Sequence, residues 1–505
     1  MRTGLELLGY IVGEAKPYRA TFVALRPPQL GEYVYMEYSG YSVVGLVESS
    51  ITGSTVLTED LRFPDDIERI VSNIRGNERM LYYRGSIRIL GDADELKIPP
   101  VSPTPGTRVW KAPSEVLEKM FAPRIDRWVR VGVLLRAPNV EAKVDINKVV
   151  TRHLAILAKT GMGKSNLVAL LAKRIADKGG TIIIFDYHGE YKTIRSREVV
   201  INVISPRLNP KNVSFDELAR IIGIRPNATR QRALLKECKE YIDSSDVKTS
   251  EEYLQRLKHC LRTRSSPAGR DVGEKVLELL EAHEKTLQRL LGNVVGDVLD
   301  RVVLGAINVV DLSELRSYQA DAIIAHWIQR VLEDRKLAEW SKRQGLKHSA
   351  KLLHPVVLVI EEAHVFISST TETASKYQAE LIVREGRKFG VGLIIVSQRP
   401  RGLDPNILSQ IGSLAVLRIV HPEDQMYIAK HCEPATQELM EQLPGLNVGE
   451  AILVGEWVRV PTVAKIDLVE EKVFGADIDA VSEWTKTKHI TELTPEINDY
   501  IPPPP

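Results

Sequence analysis

Residues 151–166 read TRHLAILAKTGMGKSN, and this stretch predicts the fold of the chain. The apolar run Leu154–Leu157 predicts a buried strand, residues 158–165 a glycine-bearing loop, and residues 166–178 a helix ending at Gly179-Gly180. A loop that runs into a helix N-terminus can direct successive backbone N–H groups at a polyphosphate, and its glycines allow close approach. We therefore predict a nucleotide-binding α/β core. The alternative is a chance GKS beside a helix start.

The residues that would surround a bound nucleotide follow from this loop. Lys164 would reach the β- and γ-phosphates of ATP, and the Ser165 hydroxyl would hold Mg²⁺. One departure is Ala158, which stands where such loops usually have their first glycine. The predicted contacts are Thr160, Gly161, Met162, Gly163, Lys164, Ser165 and Asn166.

Composition indicates a globular protein of several domains. The chain has 505 residues, too many for one ordinary core, so two or three domains are expected. Because the formal net charge is +2, any nucleic-acid contact must come from a local patch or a lined channel. No apolar run approaches the about 18 residues of a membrane span, so no membrane association is expected. Glu6 also makes the N-terminus a poor signal peptide.

The cysteine pattern indicates the redox environment. Cys238, Cys260 and Cys432 lie far apart and form no CxxC pair. Such spacing is typical of reduced thiols, so we expect all three to be free and the protein to be cytoplasmic.

Residues 1–100 predict a small β-barrel. Short runs rich in Val, Tyr and Ile recur between turn residues, and Ser39-Gly40 predicts a tight hairpin. The proline-rich segment 98–109 predicts an extended connector, and we place a domain boundary there. Residues 101–150 would then hold a linker, a short helix and two strands leading to the core.

The predicted core spans residues 151–207 and 303–470, with buried strands at 181–185, 306–310, 356–360 and 393–396. Residues 208–302 are charged, with apolar residues at spacings of three and four, which predicts an inserted helical bundle. Its basic residues could contact nucleic acid, but a solvated helix face is the alternative. These residues include Arg256, Lys258, Arg262 and Arg264. Residues 471–505 form a C-terminal extension.

Two adjacent carboxylates follow the apolar strand at residues 356–360. Chemistry in α/β sheets occurs at the carboxyl ends of strands, so Glu361 would act on the Mg²⁺ shell and Glu362 would deprotonate the attacking water. Asp is the usual first residue of such a pair. The alternative interpretation is a helix N-terminus decorated by acids, which the helix dipole also favours.

The next segment offers a second set of candidates. A helix is predicted at residues 377–389, carrying Arg384 and Arg387, either of which could reach a phosphate across a subunit boundary. A surface ion pair is the alternative for both. Gln398 follows the next strand, where it could report on the γ-phosphate and position water. His364 is interpreted as a packed helix histidine because no metal-type partners are spaced around it.

These blocks together resemble a known family. HLAILAKTGMGKSN, FDYHGEY, VIEEAHVF and VREGRKFGVGLIIVSQRPRGLDPNILSQ are similar to the HerA family of DNA translocases, relatives of FtsK. The resemblance covers residues 8 to about 485, and the last block is the most specific. It implies an α/β fold: a RecA-like P-loop ATPase core with a mostly parallel sheet of the additional-strand type. A HerA-type β-barrel like that of the rotary ATP synthases would precede the core.

The resemblance also implies an activity and partners. It implies a hexameric ring with duplex DNA in its channel, ATP at the subunit interfaces, and work with the NurA nuclease in resecting DNA ends. On this chain it implies that Lys164 and Ser165 bind nucleotide, that Glu362 is the catalytic base and that Arg387 is an arginine finger in trans. Further nucleotide contacts would be Arg152, Lys465 and Ile466.

Two stretches that follow the strands of the acid pair and of Gln398 could face the channel. They are residues 367–376 and 399–406, and their candidate DNA contacts are Lys376, Arg399 and Arg401. Basic residues without interleaved aromatics favour phosphate tracking along a duplex over base reading. Ordinary surface loops are the alternative.

Two other functions remain open at the level of sequence. A conjugation- or secretion-type ring ATPase that moves single-stranded DNA or protein would share the core but would not need the barrel. A nucleotide-gated scaffold for a nuclease would not need Lys164, Glu362 and Gln398. ATP turnover with duplex DNA, single-stranded DNA and no DNA separates the three.

Overall fold

The computed structural model describes residues 5–469 with short gaps, together with Val481 and Trp484. The gaps are residues 75–79, 196–197, 248, 265–269, 292–295 and 346–349. Apart from Val481 and Trp484, the expected C-terminal extension therefore lies outside the described residues.

A closed six-stranded barrel forms the N-terminal domain, which confirms the predicted barrel. Its interior is filled by side chains that alternate along the strands, such as Phe22, Val34, Met36, Val43 and Ile87, all fully buried. Its strands are β1 (Leu7–Lys16), β2 (Arg19–Ala24), β3 (Tyr33–Tyr38), β4 (Tyr41–Ser54), β5 (Leu81–Asp92) and β6 (Arg108–Lys111), in the order β1-β2-β5-β4-β3-β6. Helix α1 (Pro64–Ile74) lies between β4 and β5.

The barrel extends past the boundary expected near residue 100. β6 pairs antiparallel with β1 and β3 and closes the barrel, although the sequence predicts a connector up to residue 109. Val109 is its fully buried side chain. This strand has four residues, follows several prolines and has one buried side chain. Such a pattern is too short to predict a strand, so tertiary pairing determines that it forms.

An eleven-stranded sheet forms the core, in the order β11-β12-β10-β13-β14-β9-β15-β16-β17-β7-β8. The strands from β11 to β15 run parallel, and the other four are antiparallel. The strand of the phosphate loop, β9, is separated from the strand of the acid pair, β13, by β14. This is the predicted additional-strand arrangement. The strands are β7 (Trp128–Leu134), β8 (Ala137–Asp145), β9 (Leu154–Leu157), β10 (Thr181–Asp186), β11 (Ile201–Ile204), β12 (Ile307–Asp311), β13 (Val356–Ile360), β14 (Val391–Ser397), β15 (Ser413–Leu417), β16 (Glu450–Gly455) and β17 (Thr462–Ile466).

Helices cover this sheet and form the insertion. The parallel strands β9, β10, β13, β14 and β15 are buried along their whole length, as expected for a sheet covered on both faces. The core helices are α2 (Ser114–Phe121), α3 (Ile146–Arg152), α4 (Lys164–Asp177), α10 (Ser317–Gln344), α11 (Ala363–Phe366), α12 (Ala374–Leu381), α13 (Arg387–Phe389), α14 (Pro405–Ser409), α15 (Pro422–His431) and α16 (Gln437–Met440). Those of the insertion are α5 (Phe215–Ile221), α6 (Thr229–Asp243), α7 (Ser250–Thr263), α8 (Arg270–Ala282) and α9 (Glu284–Leu290). Among the described residues, none of the helices is long and apolar enough to cross a membrane.

The expectation of three free cysteines is wrong. Cys238 on α6 and Cys260 on α7 form a disulfide, with their Cα atoms 5.7 Å apart, while Cys432 is a free buried thiol. Both cysteines lie on the apolar faces through which the two helices pack. The two cysteines are 22 residues apart in sequence, and only the packing of the two helices brings them together.

The basic residues of the insertion support the surface interpretation. Each of the four that the sequence singles out pairs with a carboxylate of the insertion itself. The pairs are Arg256 with Glu252 at 2.7 Å, Lys258 with Glu284 at 2.8 Å, Arg262 with Glu281 at 3.7 Å, and Arg264 with Glu237 at 2.5 Å.

One core helix begins earlier than predicted and ends at Phe389, as predicted. The helix expected at residues 377–389 begins at Ala374, because Thr373 caps it by accepting from the Lys376 amide. It continues through a π-helical turn, Ile382–Gly386, into α13. Lys376 therefore lies on the first turn of a helix rather than in the expected loop.

Candidate nucleotide site

The phosphate loop lies at the carboxyl edge of the sheet, between β9 and α4. Gly161 and Gly163 have φ values of 78° and 105°, a backbone conformation that side-chain-bearing residues rarely adopt. No side chain among the described residues caps α4, because its N-cap is Gly163. The helix begins at Lys164, two residues earlier than expected, so the amides of its first turn are directed at the loop and form an anion site.

Lys164 is buried in the centre of the site, with 8% of its surface exposed. Burial lowers its pKa, and the nearby charges of Glu362, Glu361 and Glu190 oppose that shift. The negatively charged oxygens of a bound phosphate would therefore take over part of the charge compensation that these carboxylates give Lys164.

Glu361 follows β13, beside Lys164. The Tyr191 hydroxyl donates to Glu361 Oε1 and lies within hydrogen-bonding reach of Ser165. Burial raises the pKa of Glu361 to about 7, while the Tyr191 hydrogen bond opposes the rise. A cation at this position would favour the ionised form of the carboxylate.

Glu362 lies next to Glu361 in a different environment. Its φ of 47° is left-handed, a backbone conformation that is uncommon for a residue with a side chain. Its Oε1 lies 3.7 Å from His188 Nε2, and its Oε2 lies 3.2 Å from His364 Nδ1. Burial alone would raise its pKa, but His188, His364 and Lys164 together lower it. Its Oε2 is buried beside His364 and makes no hydrogen bond among the described residues.

Gln398 joins the phosphate loop to the acid pair. It follows β14, which lies between β9 and β13, so its side chain emerges at the same edge of the sheet as both. The Thr160 hydroxyl donates to Gln398 Oε1. Gln398 therefore lies beside the phosphate loop, and its contact with a γ-phosphate stays a prediction.

The segment after β10 contributes residues that the sequence analysis did not assign to the site. Asp186 is buried and accepts hydrogen bonds from the amides of Glu190, Tyr191 and Lys192, at 3.0, 2.8 and 3.3 Å. This network folds the segment so that Tyr191 and His188 reach the acid pair. The signal was present, because FDYHGEY follows a buried strand adjacent to β13.

The C-terminal strands approach the loop from the other side. The Gly449 amide donates to the Met162 carbonyl at 3.1 Å, and the Ile466 amide donates to the Gly449 carbonyl at 2.8 Å. Lys465 Nζ donates to the Val448 carbonyl at 2.6 Å. Lys465 and Ile466 therefore lie near the phosphate loop, as the resemblance implies.

Asn166 has a structural role in this single chain. Its Nδ2 donates to the Asp467 carbonyl at 2.9 Å, and its Oδ1 accepts from the Val469 amide at 2.9 Å. Its side chain thus anchors the segment after β17 beside α4.

Arg152 and Arg387 lie at the opposite edge of the sheet from the phosphate loop. Arg152 precedes β9 and Arg387 precedes β14, whereas the loop and Gln398 follow these strands. Arg152 Nε pairs with Glu456 at 3.0 Å, as does Lys148 Nζ at 2.7 Å. Arg387 is exposed. Burial would raise the pKa of Glu456, but the charges of Lys148, Arg152 and Arg387 lower it.

Two of the three candidate DNA contacts already have carboxylate partners. Lys376 Nζ pairs with Glu372 at 2.8 Å and with Asp404 at 2.9 Å, and 12% of its side chain is exposed. Arg401 pairs with Glu423 and Asp424. These pairs contradict the premise that both are free loop cations. Arg399 is exposed and has no carboxylate partner in the part of the chain that the structure describes.

The residues present fit a magnesium ion that arrives with phosphates. Among the described residues, no group of three or more His, Cys, Asp or Glu side chains could hold a metal without further ligands. Ser165 and Glu361 are oxygen ligands beside the anion site, and Mg²⁺ typically takes one or two protein ligands together with substrate phosphates. The bound ion would neutralise charge that develops on the transferred phosphoryl group.

The fold and this site define an ATP-hydrolysing P-loop enzyme with a RecA-like core. The fold is similar to that of VirB4 from Thermoanaerobacter pseudethanolicus, with a TM-score of 0.51 and 16% identity over 70% of this chain and 100% of that chain. The family described as "Helicase HerA, central domain" matches residues 129–331, and the HAS barrel domain matches residues 8–95. The chain belongs to the HerA helicase family.

Whole-length relatives agree with this assignment. The DNA double-strand break repair helicase HerA of Saccharolobus solfataricus is 36% identical, over 98% of this chain and 99% of that protein. The HerA of Sulfolobus acidocaldarius is 38% identical over the same shares. A probable helicase of Methanocaldococcus jannaschii is 33% identical, over 95% of this chain and 94% of that protein.

Proposed function

We propose that this chain forms a homo-hexameric ring that moves along duplex DNA by ATP hydrolysis. We further propose that it acts with the NurA nuclease in resecting DNA ends at double-strand breaks. The support is the near-complete match to relatives named as double-strand break repair helicases. In this function Ser165 and Glu361 hold Mg²⁺, Lys164 contacts the phosphates, Glu362 deprotonates the attacking water and Gln398 orients it.

The observation that carries the ring is the separation of the arginines from the phosphate loop. Arg152 and Arg387 precede strands whose carboxyl ends lead to the loop and to Gln398. Four strand residues at about 3.3 Å each put roughly 13 Å of sheet between the two edges. Neither arginine can therefore serve the phosphates of its own chain, but each can serve the site of a neighbouring copy.

Glu456 is suited to keep this edge ordered before a neighbour is engaged. It pairs with Arg152 and Lys148, and Arg387 lies close enough to contribute to its lowered pKa. These side chains are more than a third exposed, so the ion pairs orient the side chains but add little to the stability of the fold. Arg152 can exchange Glu456 for a phosphate of the next subunit at little cost.

Mixing subunits tests the inter-subunit site. Arg387→Ala rings and Lys164→Ala rings should each lose ATP turnover, because an arginine finger is typically worth about 10³–10⁵ in rate and the loop lysine neutralises phosphate charge. Rings assembled from both variants should regain part of the turnover, since some interfaces then combine an intact loop with an intact finger.

The control mixes each variant with itself through the same dissociation and reassembly. Failure of well-mixed rings to recover turnover would contradict a site shared between subunits. Turnover with duplex DNA, single-stranded DNA and no DNA then distinguishes a duplex motor from a secretion-type ring and from a scaffold. A duplex motor should be stimulated most by duplex DNA.

A further inference from the structure

Residues 186–192, here called the Asp186 loop, contact both members of the acid pair. The loop follows β10, the strand next to β13. One of its side chains, Tyr191, reaches Glu361, and another, His188, reaches Glu362. The P-loop chemistry described above assigns no task to either side chain.

The loop is anchored independently of these two contacts. Asp186 accepts hydrogen bonds from three of the loop's own amides, and its carbonyl accepts from the Leu312 amide at 2.9 Å. Lys192 Nζ contacts Asp311 at 2.9 Å and Ser313 at 3.1 Å, beyond β12. The loop is therefore fixed to its own strand and to the next one, so it can impose positions on the carboxylates.

Tyr191 acts on the metal side of the site. Its side chain is buried, with 1% exposed, and its hydroxyl donates to Glu361 Oε1 while lying beside Ser165. A single phenol hydroxyl thus contacts both side chains that would hold Mg²⁺. It fixes the orientation of Glu361 before any ligand arrives.

His188 acts on the water side of the site. Its Nε2 lies 3.7 Å from Glu362 Oε1, while the buried Oε2 of the same carboxylate lies 3.2 Å from His364 Nδ1. The Tyr187 ring lies 5.3 Å from the His188 ring and contacts Phe366, on the helix after Glu362, at 5.2 Å. This stack holds the imidazole over the carboxylate although 54% of the His188 side chain is exposed.

We propose that the Asp186 loop is a positioning loop that holds the two carboxylates separately. Tyr191 positions Glu361 for the metal, and His188 positions Glu362 for the attacking water. The inference rests on the roles proposed above for Glu361 and Glu362. One loop thus controls metal affinity through Tyr191 and the rate of hydrolysis through His188.

The two positions can be separated by two readouts. One is the Mg²⁺ concentration that half-saturates binding of a fluorescent, non-hydrolysable ATP analogue, and the other is kcat at saturating Mg²⁺ and ATP. Tyr191→Phe should raise the half-saturating Mg²⁺ concentration about 10–100-fold and leave kcat near wild type, since groups that orient metal ligands typically have effects of this size. His188→Ala should lower kcat about 10–100-fold and leave both the Mg²⁺ requirement and KM unchanged.

Matched variants make the test specific. Tyr187→Phe changes a tyrosine in the same loop whose hydroxyl has no hydrogen bond among the described residues, and it should alter neither readout. His188→Gln keeps an N–H donor and should recover part of the kcat that His188→Ala loses. Thermal unfolding of every variant checks that the rings are intact.

The outcomes decide between this inference and the function on which it rests. The proposal is overturned if Tyr191→Phe leaves the Mg²⁺ requirement at wild type, if His188→Ala leaves kcat at wild type, or if each variant shifts both readouts alike. Glu362→Gln is measured in parallel. If Glu362→Gln keeps wild-type turnover, the proposed role of Glu362 is wrong. If Glu362→Gln loses turnover while His188→Ala keeps the wild-type kcat, the loop inference alone is wrong.

Discussion

Glu361 and Glu362 are adjacent in sequence but differ in ionisation because their surroundings differ. Burial raises the pKa of Glu361 to about 7, although the hydrogen bond from the Tyr191 hydroxyl opposes this rise. Glu362 faces two imidazoles and Lys164, which lower its pKa against the effect of burial. Adjacent carboxyl groups with opposite pKa shifts can differ in protonation state, as groups with different roles do. The division of labour itself, with Glu361 at the metal and Glu362 as the base, stays a prediction from their order after β13.

Substituting each carboxylate by its amide tests this division. Glu362→Gln should still bind ATP but lose about 10²–10⁴-fold in turnover, the usual contribution of a general base. Glu361→Gln should mainly raise the Mg²⁺ concentration that half-saturates turnover. Steady-state rates over a Mg²⁺ titration measure both effects. If the two variants exchanged these behaviours, the assignments would have to be reversed.

The sequence predicts the residues whose role follows from a position at a strand end or in the loop. Lys164, Glu361, Glu362 and Gln398 are of this kind, and the structure brings them together. Tyr191 is not, because its contact with Glu361 spans 170 residues and depends on the neighbouring order of β10 and β13. Sequence spacing carries no record of which parallel strands become neighbours.

At the scale of elements, the five predicted parallel strands (β9, β10, β12, β13 and β14) and the helix of the phosphate loop match their predictions within a few residues, whereas β11 and β15 were not predicted. Strong apolar runs specify these elements locally. The misplaced boundaries occur where tertiary contacts decide, as for β6 in the barrel. The start of α12 at Ala374 is a second case. A threonine cap and the Asp321 carboxylate, which accepts from the Ala374 and Ser375 amides, fix that start.

The disulfide between α6 and α7 predicts a redox-dependent stability of the insertion. Closing a segment of 22 residues should contribute about 3 kcal/mol, mainly by restricting the unfolded chain. Adding a reductant should therefore lower the midpoint of thermal unfolding in the wild-type chain. The double variant Cys238→Ala/Cys260→Ala should no longer respond to the reductant.

Cys432→Ala is the matched control, because Cys432 is a free buried thiol outside the bridge. This variant should respond to the reductant as the wild type does. A response that survives in the double variant would show that the stability change has another source.

At the scale of the whole molecule, the two edges of the core sheet differ in charge and in task. The carboxyl edge holds Lys164 within a group of carboxylates, and the opposite edge holds Arg152, Lys148 and Arg387 around Glu456. In the proposed ring, the arginine edge of one copy would face the carboxyl edge of the next. A net charge of only +2 is compatible with that arrangement, because the charges are divided between the two edges.

Contact with DNA is the remaining property of the whole ring, and Arg399 and Arg401 provide a matched comparison. Both are exposed arginines in the segment after β14, but Arg401 pairs with Glu423 and Asp424, while Arg399 has no carboxylate partner among the described residues.

A phosphate contact releases counterions, so each lost contact lowers the slope of log affinity against log salt concentration by about 0.9. Arg399→Ala should therefore give a shallower slope for duplex DNA and weaken binding alike for different sequences. Arg401→Ala, whose charge is already neutralised within the chain, should leave the slope near wild type. Titrations of labelled duplexes at several salt concentrations measure both slopes. Equal slopes for wild type and Arg399→Ala would exclude Arg399 from the channel, and a larger effect of Arg401→Ala would mean that its ion pairs open when DNA binds.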